Sequence, residues 1–92
     1  MSNRRYAAKR DANERLIISA LTKAGCKVFQ LNDPGMPDLL VVNLAGFIVL
    51  LEVKGEHGKL TAAQQKSRDQ GLPFTVVRTV RAAFDACGVM YA

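Results

Sequence analysis

The sequence predicts an α/β fold whose elements follow the order α-β-β-β-α-β, with a short α-β tail. Three observations support this fold. Apolar residues recur at helical spacing over residues 11–24. Two apolar runs joined by a short turn fill residues 35–54, as in a β-hairpin. Farther along, Thr61 and Gln64 have the spacing of a capping box, which marks the start of a helix.

Each element follows from local signals. The first helix ends at Gly25, and Glu14 lies on its core side, either as a surface acid or as an inward-pointing functional one. The third strand is continuously apolar, so we expect it to be central and buried on both faces. The predicted helices are 11–24, 61–70 and 80–87, and the predicted strands are 27–31, 38–42, 47–53 and 74–78, with a possible edge strand at 89–91.

Length and charge restrict the function. The chain of 92 residues forms one domain, residues 1–92, in which residues 1–10 are a basic N-terminal arm or helix lead-in. The net charge of +5 favours an anionic partner, most simply nucleic acid, although a basic segment can also be an ordinary solvated helix end. No apolar run is long enough to cross a membrane. Cys26 and Cys87 lie far apart without metal-ligand spacing, which favours buried thiols and a cytoplasmic location.

The predicted hairpin brings three charged residues together. Glu52 and Lys54 share a face of the third strand, and a tight turn places the start of the second strand, with Asp38, opposite them. Two neighbouring carboxylates repel each other unless a cation lies between them or one is protonated. Oxygen ligands suit Mg²⁺ or Mn²⁺, and an adjacent ammonium would assist phosphodiester hydrolysis. The alternative is a surface salt bridge between Lys54 and either acid.

These residues resemble a known family. The Gly35–Asp38 segment, GMPD, followed by Glu52-Val53-Lys54, looks like the GxPD…ExK signature of the PD-(D/E)xK nuclease superfamily. The downstream LTAAQ segment and the strand ending in Arg78 resemble its VRR-NUC (virus-type replication-repair nuclease) branch. The resemblance implies a restriction-endonuclease-like αβββαβ core, with a central mixed sheet flanked by helices.

The resemblance also implies roles for individual residues. Lys54 would position or activate the attacking water, and Gln64 would lie near the site, although a helix cap is an equally good role for it and Gln65 is its neighbour. Metal binding would fall to Asp38 and Glu52, helped by the backbone carbonyl of Val53 and, through water, by Glu14.

The expected function is that of an Mg²⁺- or Mn²⁺-dependent endonuclease cutting branched DNA, in particular a Holliday-junction resolvase acting as a homodimer. A role in DNA recombination or repair, in a virus or mobile element, would suit such a compact chain. The alternatives are a non-catalytic DNA-binding module of the same fold and a structural module whose charges form ordinary salt bridges. His57 is expected to be exposed in its loop. The candidate DNA contacts are Arg4, Arg5, Lys9, Arg10, Lys59 and Arg78.

Overall fold

A computed structural model describes the backbone of residues 4–90 and the side chains of residues 12–90. Over that range the chain forms three helices around one four-stranded sheet, which confirms the predicted α/β fold. The elements are α1 (Arg4–Lys23), β1 (Lys27–Gln30), β2 (Leu39–Val42), β3 (Ile48–Val53), α2 (Ala62–Asp69), β4 (Thr75–Val77) and α3 (Val80–Cys87).

The sheet is mixed, with the strand order β1-β2-β3-β4. Short connections make β1, β2 and β3 pair antiparallel, whereas β4 returns through α2 and pairs parallel to β3. The predicted central position of β3 is therefore confirmed. Its pairing places Leu39 opposite Leu51, which is the register expected from the tight turn.

One face of the sheet forms the core, against α1 and α3. Side chains such as Ile17, Leu21, Leu39 and Leu51 are fully buried there, because the apolar stripe of α1 meets the inward positions of β2 and β3. Cys26 and Cys87 are free thiols in the same core. Burial, together with the nearby Cys26, raises the pKa of Cys87 to about 11, so this thiol is an inert core residue.

The opposite face of the sheet is only partly covered. By register and alternation it carries five apolar side chains, which we call the open face: Phe29, Leu40, Val42, Ile48 and Leu50. The prediction that β3 is buried on both faces is wrong for its first half, since Ile48 is 65% exposed. The physical reason is the short α2, whose contact with Glu52 lies at the far end of β3.

The first helix is longer than predicted. It begins at Arg4, so residues 4–10 continue α1 rather than forming a separate arm. It ends at Lys23, close to the predicted stop at Gly25, which has a φ of 103°. A Cβ at this position would lie 2.8 Å from Cδ2 of Leu44, but that atom ends an exposed, flexible side chain. The backbone conformation is therefore what requires glycine here.

The predicted strand at residues 89–91 is wrong for the described residues Val89 and Met90, which are not in a strand. The N–H of Val89 donates to the carbonyl of Phe84 and closes the end of α3, where Gly88 adopts a φ of 69°. That N–H is therefore committed to the helix cap. Tyr91 lies outside the described residues. No helix in residues 4–90 combines the length and the apolar character needed to cross a membrane.

Candidate active site

The β2–β3 hairpin brings Asp38 and Glu52 together. Beyond the Leu39–Leu51 pair, the backbone N–H of Asp38 donates to Oε1 of Glu52 at 3.1 Å. In return the N–H of Val53 donates to Oδ2 of Asp38 at 2.9 Å. Both carboxyl groups are buried, and each is fixed by the backbone of the opposite strand.

Lys54 and Gln64 complete the surroundings of Glu52. Nζ of Lys54 lies 3.1 Å from Oε2 of Glu52, and Nε2 of Gln64 donates to the same oxygen at 2.8 Å. Lys54 shares the side of β3 on which Glu52 lies, as period-two geometry requires. The structure thus brings Asp38, Glu52, Lys54 and Gln64 into one cluster.

Gln64 serves both as a helix-capping residue and as a neighbour of the acid cluster. Its Oε1 accepts a hydrogen bond from the N–H of Thr61, and Oγ1 of Thr61 accepts one from the N–H of Gln64, which forms the predicted capping box. Its Nε2 remains to contact Glu52. Gln65 is exposed and donates instead to Asp69. The cap thus directs the amide of Gln64 toward the site.

Burial raises the pKa of Glu52, and the neighbouring Asp38 carboxylate raises it further, while the Lys54 ammonium opposes both. The protonated form of Glu52 is therefore favoured relative to a carboxyl group in water. A hard divalent cation fits this donor set, because it consists of two adjacent carboxylates and oxygen is the preferred ligand atom. Within residues 12–90 no group of three or more His, Cys, Asp or Glu side chains could hold a metal ion. Asp38 and Glu52 are the side chains that would hold such a cation.

Glu14 is buried on α1 and accepts a hydrogen bond from Nε2 of Gln30 at 2.9 Å. Gln30 lies opposite Leu39, so this contact is at the same end of the β1–β2 pair as Asp38. Glu14 is therefore an inward-pointing acid rather than a surface one. Its water-mediated metal contact, like the one through the carbonyl of Val53, stays a prediction.

A cleft of about 540 Å³ opens beside the carboxylates. Its walls are the loop after β1 and the start of α2, and Asp38 and Gln64 lie on its surface. Met36 lines the cleft within the GMPD segment, which Ser67 of α2 anchors by donating to the carbonyl of Gly35 at 2.6 Å. Within the cluster, the cleft therefore exposes Asp38 and Gln64 to a substrate.

The residues predicted to contact DNA lie in three separate parts of the chain. The side chains of Arg4, Arg5, Lys9 and Arg10 lie outside the described ones, although their backbone is the start of α1. Lys59 is exposed in the loop before α2. Arg78 is exposed as well, but its guanidinium donates to backbone carbonyls of the loop at residues 55–58. Its contact with DNA stays a prediction.

His57 is exposed in that loop, as expected, and Nε2 lies 4.0 Å from Oε1 of its neighbour Glu56. Sequence reasoning missed the supporting residues Asn13, Gln30 and Ser67. Asn13 donates from α1 to the carbonyl of Lys54 at 3.1 Å. No short motif marks these residues, because their partners are distant in sequence.

A buried acid pair and a lysine at the end of a hairpin, on a mixed sheet flanked by helices, define a nuclease-type domain. The model of the VRR-NUC domain family matches residues 3–81, and the chain belongs to that family. A solved structure titled "VRR_NUC domain" is similar, with a TM-score of 0.69 and 25% sequence identity over 90% of this chain and 98% of that one. A comparison with curated proteins finds no match. The resemblance seen in the sequence is thus confirmed, and the family implies a DNA substrate.

Proposed function

We propose that this chain is an Mg²⁺- or Mn²⁺-dependent endonuclease that hydrolyses phosphodiester bonds in branched DNA, including four-way junctions, as a homodimer. The observation that carries the proposal is the cluster of Asp38, Glu52 and Lys54. A DNA-binding module would have little use for two buried acids beside a polyanion. A salt bridge alone needs one acid beside Lys54, whereas this site holds two buried acids.

The residues of the cluster have separate tasks in this proposal. Asp38 and Glu52 would hold the cation, whose chemistry would be to activate water and to neutralise charge on a phosphoryl oxygen. Gln64 holds Oε2 of Glu52 and thereby orients the carboxylate. Lys54 donates to the attacking water or to the oxygens of the pentavalent transition state.

The homodimer is supported by the open face of the sheet. An exposed patch of apolar side chains on a small domain typically marks an interaction surface, and an apolar face is not a surface for DNA phosphates. A two-fold dimer would also supply two symmetrically related sites, as the paired cuts of a junction require.

The direct test is a cleavage panel of four-way junction, flap, splayed arm and linear duplex, in Mg²⁺ and in EDTA. We expect junction cleavage that needs the metal, and loss of at least about a hundredfold in rate for Asp38→Asn and Lys54→Ala. Both variants should keep the far-UV circular dichroism and DNA affinity of the wild type. Glu56→Gln, which removes an exposed acid, is the matched control and should cleave normally.

If Asp38→Asn and Lys54→Ala cut as fast as the wild type in Mg²⁺, the proposed site is wrong. If the wild type binds junctions but never cuts them in Mg²⁺ or Mn²⁺, the non-catalytic DNA-binding module is the better description.

A further inference from the structure

The side chain of Arg78 fastens the loop that follows β3. From the end of β4, its Nη1 donates to the carbonyl of Gly55 at 2.5 Å and to that of Gly58 at 2.8 Å, with the carbonyl of Glu56 at 3.5 Å. The loop is anchored at its start as well, because the N–H of Lys54 donates to the carbonyl of Val77. One guanidinium thus contacts three of the four backbone carbonyls of the loop at residues 55–58.

The gathered loop packs against Lys54. A Cβ added to Gly58 would lie 3.3 Å from Cβ and 3.4 Å from Cδ of Lys54, so the backbone of Gly58 lies directly on the aliphatic stem. The Lys54 side chain is only 11% exposed, and its Nζ is 3.1 Å from Glu52. A lysine stem is otherwise flexible and adopts many rotamers.

Asn13 holds the same region from α1. Its Nδ2 donates to the carbonyl of Lys54 at 3.1 Å and approaches that of Arg78 at 3.5 Å. The backbones of Lys54 and Arg78 are therefore tied to one side chain, which keeps the two strand ends at a fixed separation. The loop is thus clamped between β3 and β4.

We propose that Arg78 is a positioning residue, which holds the loop at residues 55–58 against the stem of Lys54 and so keeps its ammonium on Glu52. The inference rests on the proposed function, in which Lys54 acts at the scissile phosphate. It assigns Arg78 a role different from a phosphate contact. The two roles demand different chemistry. The rigid guanidinium holds its donors in fixed directions toward the loop carbonyls, which a flexible lysine ammonium does not, whereas a phosphate also accepts the point charge of lysine.

Arg78→Lys and Arg78→Ala separate these roles. We expect both to lower kcat on a junction by about 10- to 100-fold, because a small displacement of a catalytic group has effects of that size. KM, and DNA affinity measured in Ca²⁺ across a salt series, should stay within about twofold of the wild type, since no phosphate contact is lost. Lys23→Ala, which removes one exposed positive charge at the far end of α1, is the control and should leave every parameter unchanged.

Gly58→Ala provides a second route to the same effect, because its new Cβ would push on Lys54 while leaving Arg78 in place. It too should lower kcat without weakening DNA binding. Two further measurements do not depend on cleavage. Amide exchange over residues 55–59 and acetylation of Lys54, followed by mass spectrometry, should both be faster in Arg78→Lys and Arg78→Ala.

The proposal is overturned if Arg78→Lys restores wild-type kcat, or if Arg78→Ala weakens DNA binding and lowers the salt slope by about one while kcat holds. Unchanged acetylation of Lys54 in both Arg78 variants would also overturn it. An inactive wild type would instead reject the proposed function, and the exchange and acetylation results would still decide whether Arg78 positions Lys54.

Discussion

At the scale of single residues, Glu52 connects the chemistry of the site to the stability of the fold. Its side chain is fully buried, and three donors hold it: the N–H of Asp38, the amide of Gln64 and the ammonium of Lys54. Even so, burial and the Asp38 carboxylate raise its pKa in the folded protein. In the absence of a metal, therefore, ionisation of Glu52 lowers the stability of the native state.

The raised pKa predicts that the effect of Glu52→Gln on stability depends on pH. A carboxyl group whose pKa is raised by folding stabilises the fold below its unfolded pKa, and that stabilisation is lost as the pH rises through the folded pKa. Glutamine cannot ionise. The melting temperature of Glu52→Gln minus that of the wild type, measured in EDTA, should therefore increase from pH 4 to pH 7.

The matched control is Glu56→Gln, because the side chain of Glu56 is exposed. Its difference from the wild type should stay flat over the same pH range. A Glu52→Gln difference that is also flat, or that falls as the pH rises, would contradict the raised pKa.

At the scale of elements, α2 combines a local role with a functional one. Its capping box uses Oε1 of Gln64, which leaves Nε2 for Glu52. Ser67 anchors the GMPD segment, and Arg68 stacks on the ring of Phe74 at 4.4 Å while donating to its carbonyl at 2.8 Å. A short helix thus attaches to the sheet through a few specific polar contacts.

Thr61→Ala tests the coupling between cap and site. Loss of an N-cap side chain costs about 1 kcal/mol, so the free energy of unfolding in urea should fall by roughly that amount. Cleavage should also fall several-fold under conditions where the variant is fully folded, because Gln64 loses its reciprocal partner.

Thr79→Ala removes the equivalent cap of α3, where Oγ1 of Thr79 accepts from Ala82, and it should lower stability without this effect on cleavage. Equal loss of cleavage in both variants would mean that the cap of α2 has no special link to the site.

The elements also show which features a sequence can predict. The Asp38–Glu52 pairing was predictable because a tight turn sets the hairpin register locally. The α2 cap was predictable for a similar reason, since its partners are three residues apart. The contact of Arg78 with Gly55 spans 23 residues and that of Gln30 with Glu14 spans 16, so they depend on how packed elements meet. Within the described residues, the predicted edge strand does not form at Val89, because its backbone N–H donates to the carbonyl of Phe84 and caps α3.

At the scale of the whole molecule, the single domain leaves the apolar open face of the sheet partly exposed to solvent. The core lies on one side of the sheet, and α2 reaches the other side only near Glu52. Ile48 and Phe29, 65% and 54% exposed, lie toward the far part of that face. An isologous dimer through this face would bury the patch on both copies at once.

Ile48→Glu should therefore dissociate the proposed dimer. A carboxylate within an apolar interface should weaken dimerisation by at least about 30-fold, equivalent to about 2 kcal/mol. Sedimentation velocity should show twice the 10.0 kDa chain mass for the wild type and the single chain mass for the variant. Leu16→Glu is the matched control, because Leu16 is 63% exposed on α1, on the other side of the sheet, and this variant should remain a dimer.

On junctions, Ile48→Glu should keep single nicks and lose paired cuts within one binding event. A wild type that sediments as a monomer, or a Leu16→Glu variant that dissociates while Ile48→Glu does not, would exclude the open face as the dimer interface.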